Sequence, residues 1–245
     1  MNYHWNWGIF FEQVKAGEET YLDWLITGFG WTVAVAVSAW LIALFCGGII
    51  GTLRTTPHRG LAFFATCWVE LFRNVPLLVQ MLLWFFVVPE LLPRDLSLWV
   101  KQDMPAKEFV TAVLCLGLFT SARIAEQVRA GVQSLPNGQR MAGLAMGFTL
   151  PQTYRYVILP MAFRIIIPPL TSEFMNVFKN SSVAFAIGVL ELTFQARQIQ
   201  EDSEQGIETY FAVTVLYFIC AFMANRGMAF IEERSRVPGF IATAK

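Results

Sequence analysis

Apolar residues run through this chain in long blocks, and polar residues gather between them. A helix needs ~20 predominantly apolar residues to cross a ~30 Å hydrocarbon core. Five stretches approach that length, at about 25–53, 75–92, 109–128, within 158–192, and 210–231. The first exceeds a single crossing, so it is expected to tilt or to protrude. The second opens with Pro76, which a first helical turn tolerates. In the fourth, Pro168 and Pro169 near its start and the polar residues at 179–182 are expected to break the helix. Residues 60–72 carry the spacing of an amphipathic helix lying along the membrane interface.

Composition turns these blocks into a class. Hydrophobic residues make up 56% of the chain and charged residues 15%, and the mean hydropathy is +0.50. A soluble domain with that composition lacks the polar residues to cover its surface. The expectation is an all-α membrane protein with about five transmembrane helices. No repeat or low-complexity segment stands out, and the spans read as one domain.

The net charge is zero, but its distribution along the chain gives an orientation. Basic residues collect in the cytoplasmic loops of membrane proteins. Segment 52–74 has Arg54, Arg59 and Arg73 against Glu70, and segment 129–164 has Arg129, Arg140, Arg155 and Arg164 against no acid. Segment 191–209 sets Arg197 against five acids, and the first 24 residues set Lys15 against four. Segment 89–108 is mixed. Five spans alternate consistently with a periplasmic N-terminal segment over 1–24, a transmembrane domain over 25–232 and a cytoplasmic tail over 233–245. The loop 129–164 then lies in the cytoplasm. Trp5, Trp7, Trp24 and Trp31 fall near the outer boundary, where indole rings prefer to sit. The acidic N-terminus is the opposite of a signal peptide's basic region, so no cleavage is expected.

Within the cytoplasmic loop two helices are expected. Ser134 is placed to cap one beginning at Leu135 and running to about Met146, with Pro136 in its first turn. Gly147 supplies a left-handed end, and Thr149 with Gln152 forms a capping-box pattern for the second. The first helix presents the small residues Ala142, Gly143 and Ala145 beside Met141, Leu144 and Met146. Two readings fit such a surface: a grip for another protein, or a helix resting on lipid headgroups.

The loop and its surroundings resemble the permease subunits of bacterial ABC importers. In that family a cytoplasmic loop carries Glu-Ala-Ala, three residues, Gly, nine residues, then Ile-x-Leu-Pro. Here Met141-Ala142-Gly143, Gly147 and Val157-Ile158-Leu159-Pro160 stand at that spacing. Met141 and Gly143 depart from the family at the motif's head, which puts in doubt any salt bridge the family's Glu makes. ELFRNVPLLVQ at 70–80, AEQVRAG at 125–131, LPNGQ at 135–139, PPL at 168–170 and KNSS at 179–182 resemble the polar amino acid uptake branch. The likeness covers roughly 28–228 and is strongest to glutamate/aspartate importer permeases.

That resemblance implies the type I ABC importer permease fold and a list of partners. These are ATP-binding cassette subunits, a second, non-identical permease subunit, a periplasmic solute-binding protein and the lipid bilayer; no nucleic acid is expected. It also implies that Met141, Ala142, Gly143, Gly147, Thr149, Leu159 and Pro160 form the ATPase-coupling loop. ATP and its magnesium ion belong to the partner ATPase, since this chain has no Walker-type glycine loop.

Charged residues inside the spans are the remaining candidates. Arg123 lies in the third span with Glu126 three residues on, spacing that suits an intrahelical pair. A charge at the bilayer centre costs about 2.5–3.5 kcal/mol on insertion scales, so it faces protein or a watery path. The family commonly has Tyr where Arg123 stands, and a guanidinium binds a carboxylate in a bidentate fork. A role in holding the bundle and a role in an anionic substrate's pathway both remain open. Ser172, Glu173, Asn176 and Lys179 in the fourth span either line that pathway or pair across a subunit interface. Neither a catalytic nor a metal constellation stands out. His4 and His58 lie far apart, and Cys46, Cys67, Cys115 and Cys220 read as buried filler. A secondary transporter or channel accounts for intramembrane charges equally well, but has no need of the 139–160 loop.

Overall fold

The computed structural model describes residues 4–15 and 17–235, so most of the expected tail over 233–245 lies outside the described residues. Regular structure within them is helical, apart from an antiparallel bridge between Gln13 and Thr20. The helices are α1 Tyr21–Thr55, α2 Arg59–Asn74, α3 Leu77–Leu91, α4 over 94–103, α5 Lys107–Gln133, α6 Asn137–Ala145, α7 Leu150–Ile187, α8 Leu192–Ser203 and α9 Gly206–Ser235. By length and composition α1, α5, α7 and α9 each suffice to cross a membrane. The expected second span, α3, reaches that length only when counted with the amphipathic α2.

Local chemistry sets the helix ends. Thr20 and Asp23 cap the start of α1 reciprocally: Thr20 N–H donates to Asp23 Oδ2 at 2.9 Å, and Asp23 N–H to Thr20 Oγ1 at 3.3 Å. At the start of α2, His58 Nδ1 accepts from Leu61 N–H at 3.3 Å. Val75 is extended, the conformation favoured before proline, and ends that helix.

Three π-turns, Leu83–Val87, Trp99–Asp103 and Tyr154–Ile158, share one cause. Each is followed after one residue by a proline: Pro89, Pro105 and Pro160. The residue before that proline sends its N–H back five positions, Val88 to Leu83, Met104 to Trp99 and Leu159 to Tyr154. The ring that cannot donate makes the preceding turn wider.

Pro168 and Pro169 correct an expectation: α7 runs through both without a break. Inside a bundle, neighbouring helices and hydroxyls satisfy the carbonyls that proline frees, here those of Arg164 and Ile165. The change comes later. Ser181 and Ser182 hydroxyls donate to Phe178 O and Lys179 O at 2.7 Å, and the helix tightens to a 3-10 turn over Ser182–Ile187 that ends at Gly188, φ +91°.

The chain packs as two compact units, Met1–Trp40 with Pro76–Gly117 and Asn176–Met223, and Leu41–Val75 with Leu118–Met175 and Ala224–Lys245. Apart from the one at 75/76, between α2 and α3, their boundaries fall inside α1, α5, α7 and α9, so neither unit is a sequence-contiguous domain. In the first unit Ile9, Val14, Tyr21, Leu25, Leu192, Ala196, Ile199 and Val213 form a buried cluster. Polar ties join the N-terminal segment to it: Asn6 N–H donates to Glu208 at 2.8 Å and Tyr21 OH to Asp202 at 2.5 Å. The Tyr21 hydrogen bond and the nearby Lys15 hold the Asp202 carboxyl below its ordinary range.

The second unit is built on close helix approach. A Cβ on Gly47 would lie 2.7 Å from Ile124 Cβ, and one on Gly51 2.7 Å from Ala125 O. One on Gly131 would lie 2.5 Å from Ile166 Cγ2. Small residues four apart let α1 meet α5 backbone to backbone, the usual way helices associate without a hydrophobic drive.

Candidate functional site

The loop after α5 folds as a helical hairpin. Ser134 does not cap its first helix: the hydroxyl donates back to Gly131 O at 2.8 Å, extending the end of α5. Helix α6 instead begins at Asn137 with Pro136 at its cap, because Pro136 fixes φ for a helix entry without needing an N–H partner. Gly147 takes φ +87°, and Phe148 N–H closes onto Gly143 O at 3.2 Å, six-to-one. The Thr149–Gln152 capping box forms: Thr149 N–H donates to Gln152 Oε1 at 2.8 Å, and Gln152 N–H to Thr149 Oγ1 at 3.5 Å.

The loop residues divide by what they touch. Gly143 is buried against Thr153, whose Cγ2 would lie 2.7 Å from a Cβ there, so its small size serves the hairpin and not an outer contact. Ala142 and Ala145 are exposed, as are Met141, Leu144, Met146, Phe148 and Tyr156. Phe148 and Tyr156 stand 6.2 Å apart. Thr149 is occupied as a cap, Leu159 is half-buried behind its π-turn, and Pro160 is exposed. Leu135, Tyr154, Ile158 and Ala162 form the buried root, with Tyr154 OH donating to Thr55 O at 2.7 Å. The outer surface thus sets these apolar side chains beside the exposed Arg140 and Arg155 and carries no carboxylate.

In the spans, Arg123 and Glu126 do not pair. Arg123 Nη1 faces Glu173 Oε2 at 3.6 Å, beyond hydrogen-bond length, and its guanidinium lies 5.9 Å from the Phe119 ring centre. Arg123 keeps 42% of its side chain exposed while Glu173 keeps 13%. Glu126 is the hub of a different cluster: it bonds Arg54, sits 3.4 Å from Arg73 Nη1, and takes Arg129 Nε at 2.9 Å. Three guanidiniums on one carboxylate leave two positive charges. Sequence spacing assigned Glu126 to Arg123, three residues before it, whereas the structure pairs it with Arg129, three residues after it. Spacing had no means of finding Arg54 and Arg73, which approach only through tertiary packing.

Ser172, Glu173, Asn176 and Lys179 lie on the unbroken helical part of α7, Leu159–Ser181. Ser172 and Lys179 are exposed, and Glu173 and Asn176 are half-buried. Among the described residues no group of three His, Cys, Asp or Glu is arranged to hold a metal ion. Cys115 and Cys220 are buried as expected, but Cys67 is exposed on α2.

One polar network was missed from sequence. Glu191 and Glu208, counted there as loop acids, are fully buried. Glu191 Oε1 accepts from Phe194 N–H at 3.0 Å to cap α8, and its other oxygen takes the Tyr217 hydroxyl, which lies 3.0 Å from Thr193 Oγ1. Burial pushes the Glu191 carboxyl up to about 7, against the pull of those hydrogen bonds. The cap position before Leu192 was the readable signal.

Residues 43–237 match the family described as binding-protein-dependent transport system inner membrane component. The chain is 47% identical over 241 residues to the glutamate/aspartate import permease protein GltJ of Escherichia coli (strain K12), covering 98% of both chains. It is 31% identical to the probable glutamine ABC transporter permease protein GlnM of Bacillus subtilis (strain 168), covering 84% of this chain and 91% of the relative. It is 30% identical to the glutamate/aspartate import permease protein GltK of Escherichia coli O6:H1, covering 87% and 94%. A crystal structure of an amino acid ABC transporter with histidines superposes with TM-score 0.74 at 29% identity, over 87% of this chain and 95% of that one. An inward-facing MetNI methionine ABC transporter shares the fold, with TM-score 0.72 at 19% identity over 88% and 98%. The chain therefore belongs to the binding-protein-dependent transport system inner membrane components, as a membrane-spanning permease of the ABC importer kind.

Proposed function

We propose that this permease carries glutamate or aspartate inward across the bacterial inner membrane, as one subunit of an ATP-driven importer. The observation that carries the reading is the 47% identity to a glutamate/aspartate import permease across 98% of both chains. The N-terminal segment over 1–24 faces the periplasm, where a solute-binding protein delivers substrate. The loop over 129–164 faces the cytoplasm. A similar but non-identical permease completes the pathway.

Coupling follows from the hairpin. Met141, Ala142, Leu144 and Met146 seat in an ATP-binding cassette subunit by packing. Gly143, Gly147, Thr149, Leu159 and Pro160 hold the hairpin's shape and its joint to the fourth span. ATP and its magnesium ion stay on the ATPase. Movement of that subunit drags α6, and the Gly143–Thr153 contact passes the displacement to α7.

Arg123 supplies the attraction for a side-chain carboxylate. Its ion pair with Glu173 is loose at 3.6 Å, so a substrate carboxylate that accepts two parallel N–H bonds outcompetes it. Glu126, held by three arginines, acts as structure, while Ser172, Glu173, Asn176 and Lys179 supply polar groups along the path. The test is reconstitution with the ATPase, the second permease and the binding protein in vesicles. Labelled L-glutamate should enter only with ATP and binding protein, and unlabelled L-aspartate should compete while L-glutamine should not. Uptake without ATP marks a secondary transporter, and competition by glutamine but not aspartate removes the acidic substrate.

A further inference from the structure

A cavity of about 260 Å³ opens where the end of α1, the end of α5 and the start of α6 meet. Arg54, Gln133, Asn137, Gln139, Arg140 and Tyr154 line it, and no Asp or Glu does. Arg54 belongs to the cluster in which three guanidiniums share Glu126, so the wall behind it carries surplus positive charge. Gln133 Oε1 is taken by Arg129 Nη1 at 2.6 Å, which leaves its amide N–H groups to donate. Tyr154 OH is engaged with Thr55 O.

Two groups on the α6 side are uncommitted. Arg140 is exposed and has no ion-pair partner among the described residues. Gln139 Oε1 is buried without a hydrogen-bond partner. A buried acceptor left unpaired costs free energy unless something donates to it. The walls thus ask for a small anion with carboxylates for the guanidiniums and an N–H donor for Gln139. An acidic amino acid has two carboxylates and an ammonium group.

We infer that this cavity is a cytoplasmic binding site for an acidic amino acid, the product of import, and that its occupation restrains the coupling hairpin. The inference rests on the proposed transport direction and substrate. An occupant bridging Arg54 on α1 to Arg140 on α6 ties the moving hairpin to the spans. It favours whichever transport state closes that gap, in proportion to its differential affinity for the two states. Import then slows as product accumulates, without any contact to ATP.

The test uses the permease–ATPase complex purified in detergent without the binding protein, titrated calorimetrically with L-glutamate, L-glutamine and inorganic phosphate. L-Glutamate should bind and lower the ATPase rate. L-Glutamine, lacking one carboxylate, should bind at least about tenfold more weakly, the loss expected for one charged hydrogen-bonding group. Arg140→Gln should weaken L-glutamate by a similar factor and relieve the inhibition, and Gln139→Leu should weaken it less. Absence of binding by the wild-type complex overturns the inference, as does binding that Arg140→Gln leaves intact, that Arg123→Tyr alone removes, or that phosphate displaces equally well. Import of labelled L-glutamate by the same complex in vesicles separates the two readings. Import without cavity binding refutes this site alone; cavity binding without glutamate import refutes the proposed substrate alone.

Discussion

Replacing Gly51 by alanine tests the close approach on which the second unit depends. The added methyl would stand 2.6 Å from Val128 Cβ, 2.7 Å from Ala125 O and 3.0 Å from Ala125 Cα. Two of the three obstacles belong to backbone, which cannot swing aside as a long side chain can. Restoring an ordinary 3.4 Å contact from 2.7 Å requires α1 and α5 to part by about 0.7 Å at that point. Overpacking of this kind costs about 1–3 kcal/mol. Alanine recovers up to about 1 kcal/mol through its better helix propensity, so the net loss should be on the order of 1–2 kcal/mol. Arg54 lies one turn beyond Gly51 and Glu126 beside Ala125, so the parting also stretches their ion pair.

The assay is unfolding in mixed micelles by increasing sodium dodecyl sulfate, followed by far-ultraviolet circular dichroism. Gly30→Ala on the same helix is the matched control, since nothing lies within 4 Å of its Cβ position. Gly30→Ala should match or exceed the wild-type midpoint, and Gly51→Ala should fall below it. Coincident midpoints for the two variants would refute the close-approach reasoning.

Three other outcomes follow from named contacts. Glu191 has its carboxyl raised from 4.5 to about 7 by burial, so its stabilising contribution is full below pH 4.5 and is lost as pH rises through about 7. The span of that change is roughly 3 kcal/mol, and Glu191→Gln should flatten the dependence of thermal midpoint on pH between those values; an unchanged slope would assign it to another group. Gly147 has open space around its Cβ position but φ +87°, so Gly147→Ala should cost on the order of 1 kcal/mol and lower uptake per ATP hydrolysed, with Gly147→Asn milder. Arg123→Tyr should abolish uptake of L-aspartate while ATPase stimulation by the binding protein persists; undiminished uptake removes Arg123 from the pathway.

Much of the architecture was legible because membrane spans announce themselves by length and hydropathy, which need no tertiary information. The helix boundaries at Gly147 and Thr149 were readable for the same local reason. Ser134 was misread because a hydroxyl near a helix start has two uses, capping forward or bonding back to the preceding turn. Pro168 and Pro169 misled because the rule that proline breaks a helix assumes water as the alternative partner for the freed carbonyls. Glu191 and Glu208 misled more deeply: counted as charges they argued for an exposed loop, and both are buried. Their number along the chain fixes topology, but only packing decides which acids are solvated.

The same distinction governs the coupling hairpin. Spacing alone groups Ala142, Gly143 and Ala145 as one small-residue surface, and the family motif treats positions 142 and 143 alike. Packing separates them, since Gly143 is pressed on Thr153 while its neighbours are exposed. A substitution at Gly143 therefore deforms the hairpin from within, whereas one at Met141 or Ala142 alters only the face offered to a partner. Suppressor changes in the ATPase should restore coupling to the second kind and fail to restore it to the first, because no reshaped partner surface makes room for a side chain whose Cβ would stand 2.7 Å from Thr153 Cγ2.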